Sequence, residues 1–203
     1  MLWIVLAVLY GLFLVWHERR GPPLTQVETE AVLAHLAANS IAAEAGDHDL
    51  PMSLRTLAAA DDGRQYFMVN LIQYRERALY PPGSASLGTD ARAADARYAR
   101  IVLPQLLKRG SYPIFVSRVV GAFIPHTGAT SWDAVAIVRY RSRRDMLDMV
   151  KALQRLGGGM HKWAAIEDTH VFPVHAFVRV APLPIVVLLV LLVVGFAAMA
   201  LLP

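Results

Sequence analysis

The chain has 203 residues and a formal net charge of +4, with 56% hydrophobic and 18% charged residues, against about a quarter charged in an ordinary soluble domain. That length accommodates one domain plus two membrane segments, and the mild, dispersed positive charge carries no nucleic-acid-binding signature. There is no cysteine, which excludes disulfides, thiolate metal sites, iron–sulfur clusters and cysteine nucleophiles.

Every Lys, Arg, Asp and Glu lies between Glu18 and Arg179, so both ends are uncharged. Residues 2–16 (LWIVLAVLYGLFLVW) predict a transmembrane helix over residues 1–17, with Trp3 and Trp16 near its two ends as interfacial aromatics. A cleaved signal peptide would want a basic n-region and a small-x-small site. The segment has neither and runs directly into His17-Glu18-Arg19-Arg20, so the reading is a retained anchor.

A helical linker segment is expected over residues 18–62. Gly21-Pro22-Pro23 forms a stiff break. Thr25-Gln26-Val27-Glu28 fits a capping box, in which Thr and a Glu three positions on satisfy free amides at a helix start. A helix through Val27, Ala31, Ala34, Leu36 and Ala38 follows, ended by Gly46 and Pro51. A short helix is expected over residues 53–60, and Asp61-Asp62-Gly63 reads as a turn.

The main domain is expected over residues 63–180. Residues 66–74 (YFMVNLIQY) are short and rich in aromatic and aliphatic side chains, hence a strand. A Pro/Gly/Ser loop occupies residues 80–88. Residues 90–107 predict a helix with Ala94, Tyr98, Ile101 and Val102 on one face, kinked or shortened by Pro104. Two strands follow, over residues 113–124 and 132–140, joined by a loop containing Pro125 and Gly128. Ser142 reads as a helix cap, and Met146, Met149, Val150, Leu153 and Leu156 recur at helical spacing up to Gly157-Gly158-Gly159. A last strand is expected over residues 170–180.

The order strand, helix, strand, strand, helix, strand is that of the ferredoxin-like split βαβ unit, an α+β fold. Two helices on one sheet face leave the other face in need of cover. Residues 183–202 are uncharged, and at about 1.5 Å per residue they span roughly 30 Å, a hydrocarbon core. They predict a second transmembrane helix over residues 182–203. Arg19, Arg20 and Arg179 lie at the inner ends of the two apolar segments. The positive-inside rule then predicts a two-pass inner (plasma) membrane protein with a cytoplasmic central domain.

Asp61-Asp62-Gly63 before Met68-Val69-Asn70-Leu71, the Tyr98 helix, the Gly121 strand, Trp132-Asp133 and the run from Arg143 to Met149 resemble the dimeric α/β-barrel superfamily. More narrowly, they resemble a set of uncharacterised bacterial domains within it. The resemblance covers about residues 61–180. It implies a homodimer in which two sheets pack face to face. The fold expectation is therefore a ferredoxin-like βαββαβ domain of dimeric α/β-barrel type, flanked by two transmembrane helices. Members of the superfamily include cofactor-free monooxygenases, isomerases, haem peroxidases and proteins of no known activity.

Strand alternation offers a ligand-binding group. If the relevant faces coincide, Asn70, Arg118, Arg139 and His175 converge in an apolar surround, where arginine pairs well with carboxylate or enolate oxygens. The bland reading places them at strand ends or at a dimer seam. The seven histidines show no HxH or HxxxH spacing, so no metal is expected. His161 and His170 are candidates for a haem ligand or a proton acceptor, but no local motif supports haem and no cofactor is assigned. Arg139, Arg141, Arg143 and Arg144 form the densest basic cluster, either facing phospholipid headgroups or solvated at a strand–helix turn. Met146 and Met149 read as core filler. Asp61-Asp62 and Glu167-Asp168 read as turn residues.

No nucleophile elbow or phosphate loop is present. The leading functional expectation is a membrane-anchored homodimer acting as an accessory or assembly subunit beside other membrane proteins. A membrane-tethered, small-molecule-binding enzyme of monooxygenase or isomerase type, acting on a hydrophobic substrate, is the alternative. A lipid-surface sensor using the arginine cluster comes third.

Overall fold

The β-rich stretch YFMVNLIQY forms the strand around which the domain is built, β1 (Tyr66–Tyr74), hydrogen-bonded on both sides. The structure, a computed structural model, describes residues 1–19, 21–38, 50–124, 131–178 and 182–201. The other strands are β2 (Tyr112–Arg118), β3 (Ala134–Tyr140) and β4 (Ile166–Val174). They form one antiparallel sheet in the order β2-β3-β1-β4. Among the described residues seven α-helices accompany it: α1 (Leu2–Glu18), α2 (Gln26–Ala38), α3 (Leu50–Ala59), α4 (Ala91–Leu107), α5 (Arg143–Arg155), α6 (Gly158–Ala165) and α7 (Leu183–Leu201). The fold is mixed α+β.

The chain forms two compact units, Arg20–Val174 on the one hand and Met1–Arg19 with His175–Pro203 on the other. In the larger unit, register decides which residues meet the helices. Tyr66 faces Tyr140, Met68 faces Val138, and Ile72 faces Ala134 across β1 and β3. Tyr66, Met68, Val138 and Tyr140 pack with Met146, Leu147, Met149 and Leu153 of α5 and with Tyr98 and Ile101 of α4. Met146 and Met149 are indeed core residues. A second, alanine-rich cluster joins Ala78, Ala91, Ala94, Ala164, Ala165 and Ile166.

Local signals predict most element starts. Thr25 and Glu28 close the expected capping box: the Glu28 carboxylate accepts from the Thr25 amide at 2.9 Å, and the Thr25 hydroxyl accepts from the Glu28 amide at 3.2 Å. Ser142 caps α5 by accepting from the Asp145 amide at 3.1 Å, an arrangement worth about 1 kcal/mol. Asp90 caps α4. Pro104 does not shorten α4, which runs on to Leu107 with the proline inside it. The helix forgoes one backbone hydrogen bond there.

Three expectations are corrected. Gly157-Gly158-Gly159 does not end the helical region. Gly157 adopts a left-handed φ of +68° and turns the chain from α5 into α6. A β-carbon at Gly158 would sit 3.2 Å from Leu153 Cδ2 and 3.4 Å from Ile101 Cγ2, so the small residue lets α6 lie close. The last strand begins at Ile166, which places Glu167 and Asp168 in β4 rather than in a turn, and ends at Val174. The second strand stops at Arg118 rather than running to Ile124. Residues 119–124 are apolar enough to read as strand but lie outside the ladder.

In the smaller unit, α7 has 19 residues and is long and apolar enough to cross a bilayer. α1 is apolar but has 17 residues, about 26 Å at helical rise. The two helices pack antiparallel. Trp3 lies edge-to-face on Phe196 at 5.2 Å, its indole N–H points at Met199 Sδ at 3.0 Å, and the Tyr10 hydroxyl donates to the Pro184 carbonyl at 3.2 Å. A β-carbon at Gly195 would fall 2.5 Å from the Trp3 ring, so glycine permits the approach, as small residues do between membrane helices. The helix end expected at Gly46, the loop residues Pro125 and Gly128, the strand end at Val180, and Arg20 and Arg179 of the orientation argument lie outside the described residues.

Candidate functional site

The structure does not gather Asn70, Arg118, Arg139 and His175 on one surface. Asn70 pairs with Ala136 and so shares the helix-covered face. Its side-chain amide donates to the Met68 and Ala136 carbonyls, both at 3.1 Å. Arg118 pairs with Ala134 at the exposed end of the edge strand β2. Arg139 pairs with Phe67 and therefore points to the opposite face. It is 1% exposed, donating to Gln65 Oε1 at 2.7 Å and to the Gly110 carbonyl at 2.6 Å. His175 lies just beyond β4, in the smaller unit.

The arginine cluster is drawn inward, correcting both readings of it. Arg143, 4% exposed, forms ion pairs with Asp62 at 3.1 Å and Asp61 at 3.6 Å. Its guanidinium lies 5.1 Å from the centre of the buried Tyr66 ring. Arg141 makes a two-pronged pair with Asp145, both bonds at 2.8 Å. Arg144 reaches back to Glu28 at 2.5 Å and to the Pro22 and Pro23 carbonyls. That bond and those from Thr25 hold the Glu28 carboxyl down at about 2. The Asp61-Asp62-Gly63 turn is thus a clamp: Asp61 also accepts from the Leu24 and Gly63 amides at 2.8 and 3.0 Å. These arginines bind the helical segment and the turn to α5.

The groups best placed for chemistry surround the alanine cluster, on which the Tyr74 and Tyr80 rings pack. Tyr74 donates to Asp95 at 2.8 Å. Burial first, then this carboxylate, push its hydroxyl well above the usual tyrosine value. The Arg92 guanidinium lies over the Tyr74 ring at 4.0 Å and 3.7 Å from Asp133. Asp133 also accepts from the Tyr74 amide at 2.8 Å. Burial lowers the half-buried Lys162 ammonium of α6, with Asp95 opposing.

A second couple joins the loop after β1 to α6. The Tyr80 hydroxyl is 2.8 Å from His161 Nδ1, and Arg97 donates to the Tyr80 oxygen at 3.4 Å. The phenol oxygen accepts from Arg97 and shares one hydrogen with His161 Nδ1, with either group able to donate according to the imidazole tautomer. Burial first, then Arg97, lower the His161 imidazole, which keeps it neutral near pH 7. A neutral imidazole hydrogen-bonded to a phenol is a proton relay in form. His170, by contrast, is exposed on β4 beside Phe172, 5.0 Å between ring centres.

A groove of about 450 Å³ opens along the same stretch, lined by Arg75, Glu76, Arg77, Leu79 and Glu167. Its backbone is tied to the end of α6, Arg75 N–H to the Ala165 carbonyl and Leu79 N–H to the Ala164 carbonyl, both at 2.9 Å. Sequence reading singled out His161 but not Tyr74, Tyr80, Asp95 or Lys162. Tyr80 falls in the stretch read as a Pro/Gly/Ser loop, and Asp95 in the helix read over residues 90–107. Their partners are 21 and 81 residues away, so no local pattern marks them.

Two solved structures of the RPA0582 protein are similar to this chain. One is of the methylated protein, and the other is of the protein as one of unknown function from Rhodopseudomonas palustris. Each is 23% identical with a TM-score of 0.58, covering 65% of this chain and 95% and 97% of theirs. At that identity the likeness speaks to the fold alone. No protein-family model matches the chain, and no curated protein does.

Proposed function

We propose that the chain is a two-pass protein of the inner (plasma) membrane whose cytoplasmic domain, ferredoxin-like and of dimeric α/β-barrel type, pairs with a second copy and serves as an accessory or assembly subunit. The observation that carries this reading is the sheet face turned away from the core helices. Val69 and Leu71 of β1 share it with Val135 and Ile137 of β3 and with Phe172 of β4. All five are only half-buried, and Phe115 on the neighbouring edge strand is 50% exposed. An apolar surface of this kind marks an interface, and a second copy of the same face would cover it symmetrically. The βαββαβ order with strand order β2-β3-β1-β4 supports the ferredoxin-like assignment. The α1–α7 pair and Arg19 at its inner end support the two-pass topology.

The Tyr80–His161–Arg97 couple favours a second reading, a tethered small-molecule-binding enzyme. The groove lined by Arg75, Glu76, Arg77, Leu79 and Glu167, which none of these three side chains lines, is mainly charged and suits a polar ligand better than a hydrophobic one. Native mass spectrometry of the full chain, gently extracted in detergent, separates the two. A dimer without an adduct supports the accessory role, whereas a retained small-molecule mass supports the enzyme. Ile137→Asp places a charge in the proposed seam and is expected to leave a folded monomer. A persistent dimer in that variant would remove the sheet-face interface.

A further inference from the structure

The bend that follows β1 carries Arg75, Glu76 and Arg77, three charges of alternating sign in a row. With Leu79 of the same segment and Glu167 of β4 they line the groove of about 450 Å³. Hydrogen bonds fix the segment at three points: Arg75 N–H to the Ala165 carbonyl and Leu79 N–H to the Ala164 carbonyl, both at 2.9 Å, and Ala78 N–H to the Thr89 carbonyl at 2.8 Å. The groove wall is therefore in place before any ligand arrives. Among the described residues, none of its four charged side chains forms an ion pair or a hydrogen bond. Arg75 Nε is covered by the protein and has no acceptor. Arg143 Nε is likewise covered, but that guanidinium is held by Asp61 and Asp62. The Arg75 guanidinium has no counter-charge.

We infer that this groove binds a small zwitterion of the α-amino-carboxylate class, with the carboxylate on the Arg75 fork and the ammonium against Glu167. The inference deepens the second reading, that the domain holds a small molecule, and rests on it. Three observations direct the groove to such a ligand. First, a half-buried guanidinium without a counter-charge at a cavity wall presents parallel donors that match the two oxygens of a carboxylate. Second, the lining holds two arginines and two glutamates. A simple anion meets repulsion from Glu76 and Glu167, and a simple cation meets it from Arg75 and Arg77. A ligand that carries both charges answers both signs at once. Third, the groove is small, toward the lower end of the range of about 300–1,000 Å³ usual for small-molecule sites. Leu79, 68% exposed, is the one apolar side chain among the described residues lining it. That suits a short apolar substituent on the ligand and offers no slot for a lipid-like one.

The test uses the full-length chain in detergent and three probes of matched size: L-alanine, propionate (which lacks the ammonium) and ethylamine (which lacks the carboxylate). Saturation-transfer NMR reads the binding of each, with empty micelles as the blank. The expected result is that L-alanine binds and that propionate and ethylamine each bind about tenfold more weakly or worse. Arg75→Met should weaken L-alanine by about tenfold to a hundredfold, and Glu167→Gln by less, because Glu167 is exposed. The Arg75 side chain holds nothing else in the domain, so Arg75→Met is expected to fold, as circular dichroism checks. Arg77→Gln, at an exposed position, is the second variant. Propionate that binds as tightly as L-alanine, or L-alanine binding unchanged in both arginine variants, overturns the proposal. Binding lost in Tyr80→Phe but kept in Arg75→Met places the ligand at the Tyr80–His161 couple, which overturns the groove and leaves the second reading standing. A chain that binds none of the three probes yet retains another small molecule in native mass spectrometry overturns the ligand class alone. Neither probe binding nor an adduct overturns the second reading with it.

Discussion

The two ends of the sheet are built from different materials. At the end holding Tyr66 and Tyr140, large side chains stack at 5.5 Å between ring centres beneath Arg143, and every arginine of residues 139–144 is committed to a partner within the domain. At the other end, around Tyr74 and Tyr80, the core is alanine, and phenol, imidazole, carboxylate and ammonium groups are half-buried. Charge density in the sequence is greatest at the first end, yet those charges are structural. The groups with chemistry to offer gather where the packing residues are small and leave room for them. A basic run therefore reports on function only once its counter-charges are located.

The sharpest way to break this contrast is Arg143→Met. It leaves Asp61, with a 1% exposed side chain, without its cation. Loss of one partner from a buried pair costs about 3–5 kcal/mol, to be read from denaturant unfolding of the detergent-solubilised chain. A loss no larger than that of an exposed pair would show that the Leu24 and Gly63 amides alone hold the carboxylate. Gly195→Leu tests the smaller unit in the same spirit. It drives a side chain into the Trp3 ring and should cost about 1–3 kcal/mol, seen as a lowered thermal midpoint in detergent, whereas a neutral outcome would mean that the two helices do not rely on close approach.

At the alanine-floored end the expected effects are smaller and lie mainly in titration. Tyr80→Phe removes the hydrogen bonds with His161 and Arg97, the shorter of them worth about 1 kcal/mol. Arg97→Gln should raise the His161 imidazole toward its ordinary value, as followed by NMR of the ring protons. His161 is lowered in the folded chain, so the unfolded chain takes up the proton first as pH falls. This contribution to stability is present above the ordinary value of 6.5 and is lost as pH drops through the lowered one. Arg97→Gln should narrow that window. The smallest effect concerns Glu28, held at about 2 by Arg144 and Thr25. Its contribution is present above 4.5 and lost as pH falls toward 2. Arg144→Gln should weaken that acid dependence, leaving the part that Thr25 supplies, and an unchanged acid limb would break the link between the helical segment and α5.

The sequence by itself determined what local chemistry reports. It carried the Thr25–Glu28 capping box, the Ser142 cap, the span of β1, the core role of Met146 and Met149, and the apolar character of both ends. These depend on hydrogen bonds within a few residues or on a composition that needs no partner. Only the tertiary structure decided which sheet face each strand residue occupies, because a register difference of one residue exchanges the faces. That is why Asn70 and Arg139 part company. It also decided the destination of each arginine, since Arg143 and Arg144 find carboxylates 81 and 116 residues away. It decided too that Tyr80 meets His161 and that residues 119–124 leave the ladder, because a strand exists only where another strand accepts its hydrogen bonds.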